Sequence, residues 1–296
     1  MEAVHKMSAP ASLNVGPFTS LVMVKKRYVL FYMIQIWLSL FVMQYEFWWY
    51  WSFLYEWKFI HFITFFPLLV FVMYVTLVFV SIISAKILLI VVNLFHKPRE
   101  GIFLRDASDK DYRYWSIRNT IKRWPVWLSH HFPLPWFDNI CFKMFGVKTT
   151  FSNSLFEGWC DCEMVSFGKN VVLGQSSIVQ SAVIVGNLFI MRKTTIEDNV
   201  RIGAHSIVMP GTHIGKNCIL SGCSLTTVGQ KLDEGYIYVG APCKKYKKNV
   251  FFEDGLEDKL GILPEEMEKL HELYEDLYLK RIDRDITEQH NEGKNA

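Results

Sequence analysis

Between residues 147 and 250 the chain carries only two histidines, His205 and His213. Imidazole is the side chain whose charge changes nearest neutral pH, so both are candidates for moving a proton. A compact cationic run, Lys244, Lys245, Lys247 and Lys248, closes the same stretch. Ammonium groups grouped this way suit phosphate oxygens, although a solvated basic turn reads equally well. Arg192 and Lys193 form a second cationic pair, suited to an anionic head such as a phospholipid or a polyprenyl phosphate. Glu157, Asp161 and Glu163 could receive an ammonium group, though carboxylates spaced like this are more often solvated. His130 and His131 are adjacent, and adjacent residues on a helix point in different directions, which argues against a shared metal or proton. The six cysteines (141, 160, 162, 218, 223 and 243) lack paired zinc-ribbon spacing and read as reduced thiols of a cytosolic compartment.

The element that must position these groups is legible as a period of six. Phe167, Leu173, Val179, Ile196, Ile202, Val208, Ile214 and Leu220 are bulky and apolar. Four residues further on stand Val171, Ser177, Val183, Val200, Ser206, Thr212, Cys218 and Ser224, all small or β-branched. Gly168, Gly174, Gly203 and Gly215 follow half of the bulky positions and are expected at tight corners with positive φ. A strand would show period 2 and an amphipathic helix 3.6. Period six predicts three short strands per triangular turn, with each turn stacking on the last and burying a continuous core. The pattern restarts at Ile196, one residue early, so an irregularity is expected around Gly186–Lys193, and it could form a loop over a binding face. His205 and His213 both fall at outward positions of this prism.

Upstream, residues 28–45 are uncharged, and from Phe59 to Phe95 the only ionisable side chains are His61 and Lys86. A membrane span needs about 20 apolar residues, which the first stretch reaches once it is extended into the aromatic run Phe47, Trp48, Trp49, Tyr50 and Trp51 and which the second exceeds. The second is long enough to project beyond a bilayer as one helix, or to cross over about 59–80 and continue as a separate interfacial piece. Lys25, Lys26 and Arg27 precede the first span, Lys97 and Arg99 follow the second, and Glu46, Glu56 and Lys58 lie between. The positive-inside rule puts both termini in the cytosol, and no cleavable signal peptide is expected. Trp115, Ile117, Arg118, Ile121 and Trp124 recur near helical spacing in the connector, with Arg113, Lys122 and Arg123 between them. That pattern predicts an amphipathic platform in the headgroup plane, broken into pieces by its prolines, with packing against a neighbouring domain as the alternative. Residues 264–286 carry an apolar stripe of Met267, Leu270, Leu273, Tyr274, Leu277 and Ile282, and predict a helix.

The 296 residues thus divide into an N-terminal tail (1–24), a transmembrane helical region (25–99), an interfacial connector (100–146), the coil domain (147–250) and an acidic helical tail (251–296). Residues 253–296 hold 14 Asp/Glu against 6 Lys/Arg, a net of −8, which leaves 26 Lys/Arg against 15 Asp/Glu, a net of +11, on residues 1–252. A cationic body of this kind suits membrane headgroups or a phosphate-bearing substrate. The 16% aromatic content and mean hydropathy of +0.15 exclude disorder and a nucleic-acid-binding tail.

The run Ile202-Gly203-Ala204-His205-Ser206-Ile207-Val208-Met209-Pro210-Gly211-Thr212-His213-Ile214-Gly215 resembles the hexapeptide-repeat, left-handed β-helix acyltransferase superfamily. So does the closing Val239-Gly240-Ala241-Pro242-Cys243-Lys244. Spans, a Trp- and Arg-bearing connector and then this domain also look like the membrane-flanked C-terminal acyltransferase modules of poly-lysine-type peptide synthetases. Those modules carry a Gly-His pair where Gln180-Ser181-Ala182 stands here.

The resemblance implies a mainly β protein built on a left-handed parallel β-helix. It implies a homotrimer whose clefts take acyl-CoA as co-substrate, with no resident metal. It also implies a His, His205 ahead of His213, as general base on a hydroxyl or amine acceptor, and Lys244 foremost among the lysines at the coenzyme. The expected activity is acyl transfer to an acceptor, lipid-linked in view of the spans, with membrane lipids as partners. The alternatives are a non-catalytic trimeric scaffold and a γ-carbonic-anhydrase-like hydratase. The hydratase needs three His ligands per zinc, more than this domain supplies.

Overall fold

The computed structural model describes residues 25–54, 59–134, 136–250 and 255–276. They fall into two units, residues 1–249 and 250–296. The tail 1–24, the loop residues Glu56 and Lys58, and Leu277 and Ile282 of the C-terminal stripe lie outside the described residues.

Helices α1 (Val29–Leu54) and α2 (Phe59–Phe95) form an antiparallel pair. Both are apolar almost throughout, and Trp37, Phe41, Trp48, Trp49, Phe71 and Ile83 are exposed by half or more. Each helix is long and apolar enough to cross a membrane. The second stretch is one continuous helix of 37 residues, and Pro67 sits inside it without ending it. Between the pair lies a small polar seam in which Ser39 Oγ and Ser81 Oγ are 3.0 Å apart and Trp124 Nε1 donates to Ser81 Oγ at 3.0 Å.

The connector differs from the expected platform. It holds a strand (Gly101–Leu104), helix α3 (Lys110–His130) and helix α4 (Phe137–Phe145). Asp109 caps α3 by accepting from the Tyr112 amide at 3.0 Å. Pro125 lies inside α3 rather than breaking it. Trp115, Arg118, Ile121 and Lys122 are buried, because α3 is sandwiched against α2 and the coil instead of lying on a surface. Trp127, Leu134 and Trp136, at the far end, remain exposed. One apolar core runs from Val78 and Ile82 of α2, through Ile121 and Phe142, into Leu155, Val179 and Leu220 of the coil. The coil is therefore seated directly on the helices.

The coil itself is a parallel β-helix. Along one face Ser154, Val172, Arg201, Ile219 and Ile237 are in register; along a second, Lys148, Ser166, Thr195, His213 and Lys231; along a third, Trp159, Ile178, Ile207 and Leu225. Most successive partners are 18 residues apart, which is three rungs of six. The eight bulky positions of the repeat are all buried, as are the small residues four further on. Val183 is the exception in kind: it belongs to an insertion, not to a rung.

The corner glycines need a different explanation from the one the sequence suggested. Positive φ falls three residues after seven of the eight bulky positions, at Asn170, Ser176, Asn199, His205, Gly211, Asn217 and Cys223; the eighth, Val179, leads into the hairpin at Ala182. Gly168, Gly174 and Gly203 are required by close approach instead. A Cβ on Gly203 would stand 2.3 Å from the Gly222 nitrogen, and one on Gly174 would stand 2.6 Å from the Ala204 nitrogen. At the true corners, asparagine side chains form a ladder from rung to rung: Asn170 to Asn199 at 3.2 Å and Asn199 to Asn217 at 3.2 Å.

The register break is an antiparallel hairpin, Ala182–Val185 and Leu188–Met191. Phe167 pairs with Ile196, 29 residues on, so eleven residues are inserted into an 18-residue turn. Alternation along its strands gives the hairpin two apolar sides. Ala182, Ile184, Phe189 and Met191 pack on Tyr112 and Trp115 of α3. Val183, Val185 and Ile190 pack with Met209, Ile207, Leu225 and Val228 over the third face. The strand Gly101–Leu104 extends the hairpin as a third strand. The insertion is thus a clamp between helices and coil rather than an open loop.

The expectation of a mainly β chain also needs correction. Helices α1 to α4 are 26, 37, 21 and 9 residues long, whereas the strands of the coil are two to five residues. A six-residue rung spends most of its length turning a corner, which keeps its strands short. In the second unit, α5 (Leu256–Leu260) and α6 (Pro264–Tyr274) are helical, with Pro264 opening α6.

Candidate active site

Strand residues on the second face present Ser166, Thr195, His213 and Lys231 outward in a ladder. His213 Nε2 lies 3.2 Å from Glu197 Oε1, with both side chains partly exposed. Glu197 sits two residues beyond Thr195, the register partner of His213, on the neighbouring rung. An imidazole oriented by a carboxylate and open to solvent is an arrangement that can accept a proton from an incoming hydroxyl or amine.

His205 is placed differently. It occupies a left-handed corner with φ of 56°, and its amide donates to the Gln175 carbonyl at 2.8 Å. It is exposed, on the corner between the first and third faces, whereas His213 begins the second face. The fold therefore does not bring the two histidines together.

Arg192 lies over the corner stack that precedes His213. Its side-chain carbons would meet a Cβ on Gly211 at 2.9 Å, and its Nη1 would meet one on Gly229 at 3.0 Å. Lys193, beside it, is exposed. The four lysines lie on an exposed strand, Lys244–Lys248, that folds back antiparallel on Tyr236–Val239 at the end of the first face. Lys245 is engaged: its Nζ pairs with Asp233 and stands 3.9 Å from the centre of the Tyr236 ring. Lys244 and Lys248 are exposed.

Glu157 is exposed, but Asp161 and Glu163 are not the solvated carboxylates that the sequence suggested. Glu163 Oε1 accepts from Arg118 Nε and Lys122 Nζ, each at 2.8 Å, beneath α3. Burial acts to raise the Glu163 pKa, but the two cations overcome it and hold the carboxyl below its ordinary value. Asp161 Oδ2 accepts from the Ser181 amide at 2.9 Å and the Ala182 amide at 3.3 Å. Burial outweighs these bonds and Lys122, and its pKa is raised. The neighbouring thiols are inert for the same reason: burial pushes Cys162 up to about 12 and Cys160 well above its ordinary value. All six cysteines are free.

Two features escaped the sequence reading. Glu197 carries no motif; only the 18-residue turn makes it a neighbour of His213. His130 Nδ1 lies 2.8 Å from Asp138 Oδ2, while Ser129 Oγ donates to Asp138 Oδ1, so His130 has a carboxylate partner of its own across the α3–α4 turn. The eight-residue spacing was the available signal. Among the described residues no three His, Cys, Asp or Glu side chains gather as a metal set.

The site is thus an exposed imidazole–carboxylate pair on a parallel coil of six-residue rungs. Residues 193–227, which include both members of the pair, match the family "Bacterial transferase hexapeptide (six repeats)", so this segment carries that family's repeat. Over 80 residues the chain is 30% identical to a 2,3,4,5-tetrahydropyridine-2,6-dicarboxylate N-acetyltransferase of Staphylococcus aureus (strain Newman), covering 27% of this chain and 31% of the relative. Over 57 residues it is 39% identical to a galactoside O-acetyltransferase of Lactococcus lactis subsp. lactis (strain IL1403), covering 19% and 27% respectively. The chain thus spans under a third of the length of these relatives. A solved hexapeptide-repeat acetyltransferase from Vibrio cholerae O1 biovar eltor, complexed with acetyl coenzyme A, superposes with a TM-score of 0.36 at 14% identity, covering 49% of this chain and 92% of that one.

Proposed function

We propose that this chain is an acyltransferase anchored in a membrane, which moves an acyl group from a CoA thioester to a hydroxyl or amine acceptor at the cytosolic surface. The observation that carries the reading is the His213–Glu197 pair on an exposed face inside the segment that matches the hexapeptide transferases. The matches to two acetyltransferases, one N- and one O-acting, support acyl-CoA as co-substrate. The repeat also supports a left-handed hand for the coil and assembly as a homotrimer.

The proposed chemistry is brief. The Glu197 carboxylate holds the proton on His213 Nε2, which leaves Nδ1 to accept one. As the acceptor oxygen or nitrogen attacks the thioester carbonyl, its proton passes to Nδ1. The carbon–sulfur bond then breaks, and the sulfur leaves with that proton as free CoA thiol. Lys244 and Lys248 supply charge for the phosphates of the carrier, and Arg192 and Lys193 for an anionic acceptor. His205 serves the corner rather than the proton.

The exposed apolar surfaces of α1 and α2, with Lys25, Lys26 and Arg27 before them and Lys97 and Arg99 after, support two spans with both termini in the cytosol. Confinement to the bilayer favours a lipid-linked acceptor, because it raises the local concentration of the substrate.

Release of CoA thiol from acetyl-CoA, followed with a panel of sugar, amine and lipid acceptors, tests the reading. His213→Ala should abolish turnover and His205→Asn should preserve it. Turnover unaffected by His213→Ala defeats the assignment, and no turnover with any acceptor favours a scaffold.

A further inference from the structure

A crevice of about 240 Å³ opens where the last turns of α2 meet the coil. Lys86, Leu89, Ile90 and Asn93 line it from one face of α2, and Phe145 and Glu163 line it from α4 and the first turn of the coil. Two of its acceptors are buried without a hydrogen-bond partner: Glu163 Oε2 and Asn93 Oδ1. The other Glu163 oxygen is taken by Arg118 and Lys122, which keep the carboxylate ionised and acceptor-only. Buried acceptors demand donors.

The surroundings narrow the donor. Lys86, whose Nζ donates to the Met144 carbonyl, adds a third positive charge against the single negative charge of Glu163. That excess disfavours an ammonium ligand and tolerates a phosphate. On the bilayer side of the crevice, Ile83 and Phe79, three and seven residues before Lys86 and so on its face of α2, expose apolar surface. A rise of 1.5 Å per residue puts Lys86 about 40 Å along the axis from Phe59, past a hydrocarbon core of about 30 Å and at the depth of headgroups.

We propose that this crevice seats the hydroxyl-bearing head of one membrane lipid, a phosphoglycerol, with its hydroxyls donating to Glu163 Oε2 and Asn93 Oδ1. Its phosphate lies by Lys86 and its chains run back toward the bilayer core along Ile83 and Phe79. The inference rests on the reading of α1 and α2 as membrane spans and is independent of the transfer reaction.

The test uses the purified full-length chain and native mass spectrometry with phosphatidylglycerol, phosphatidylcholine and phosphatidic acid in equal amounts. Two added hydrogen bonds predict about tenfold preferential retention of phosphatidylglycerol over each of the others. Asn93→Leu, and Ile90→Trp, which fills the crevice, should each remove the preference while leaving the melting temperature of the coil in place. Equal retention of the three lipids overturns the proposal, as does a preference that survives both variants. Phosphatidic acid retained as well as phosphatidylglycerol also overturns it, because charge alone would then suffice. Alkaline carbonate extraction separates the two readings. A chain released from membranes fails as a spanning protein, whereas a chain that stays embedded without lipid preference fails only at the crevice.

Discussion

His213 Nε2 and Glu197 Oε1 meet at 3.2 Å although sixteen residues separate them in the chain. The pairing exists because one turn of the coil consumes 18 residues and sets Thr195 beside His213. Glu197→Gln keeps the shape and removes the charge. It should lower turnover, and by less than the roughly 10²–10⁴-fold that loss of a general base costs. Steady-state kinetics should place the loss in kcat, with the melting temperature unchanged.

His205 is a corner residue with φ of 56°. Asparagine tolerates that conformation and a β-branched residue does not. His205→Asn should leave stability within about 0.5 kcal/mol, whereas His205→Val should cost about 1–2 kcal/mol. Urea unfolding of the two variants side by side gives the comparison.

The stacking of turns leaves no room at Gly203, where a Cβ would lie 2.3 Å from the backbone of the next turn. Gly203→Ala should destabilise by about 1–3 kcal/mol through forced separation of two rungs. Gly222→Ala, whose nearest contact would be 3.4 Å, should cost less. Thermal melts would rank the two, and the reverse order would contradict the close-approach explanation.

Acid should unfold the protein through Glu163. Its folded pKa is held below the ordinary 4.5, so the stability it contributes is present above that value and is lost as pH falls through the folded pKa. Glu163→Gln should flatten this acid limb. It should also cost about 3–5 kcal/mol near neutrality, because Arg118 and Lys122 are left buried with their charge uncompensated. Asp161 has the opposite sign, since its raised pKa contributes stability at low pH that fades as pH rises through the folded value. Asp161→Asn should therefore be tolerated at neutral pH. Unfolding free energies measured across the acid range would separate the two carboxylates.

Phe189 joins the hairpin to α3, with its ring 4.6 Å from that of Trp115. Phe189→Ala should cost about 3–5 kcal/mol. Limited proteolysis should then cut the released hairpin near Gly186 and Asn187.

The amino-acid sequence by itself determined the coil, because each six-residue rung repeats the same packing problem: a bulky side chain inside, and a small one near the corner. It determined the two long apolar helices for a similar reason, since composition over 20 or more residues needs no partner to be read. Only the tertiary structure decided the rest. Whether Trp115 and Arg118 face a membrane or a core depends on what packs against α3, and a helical pattern looks the same in both cases. Likewise, Gly203 as a conformational need and Gly203 as a spatial need are one letter in the sequence; the neighbouring turn distinguishes them. The partner of His213 was hidden because proximity across stacked rungs follows the length of a full turn, and that length became certain only once the eleven-residue insertion was counted as a hairpin outside the coil.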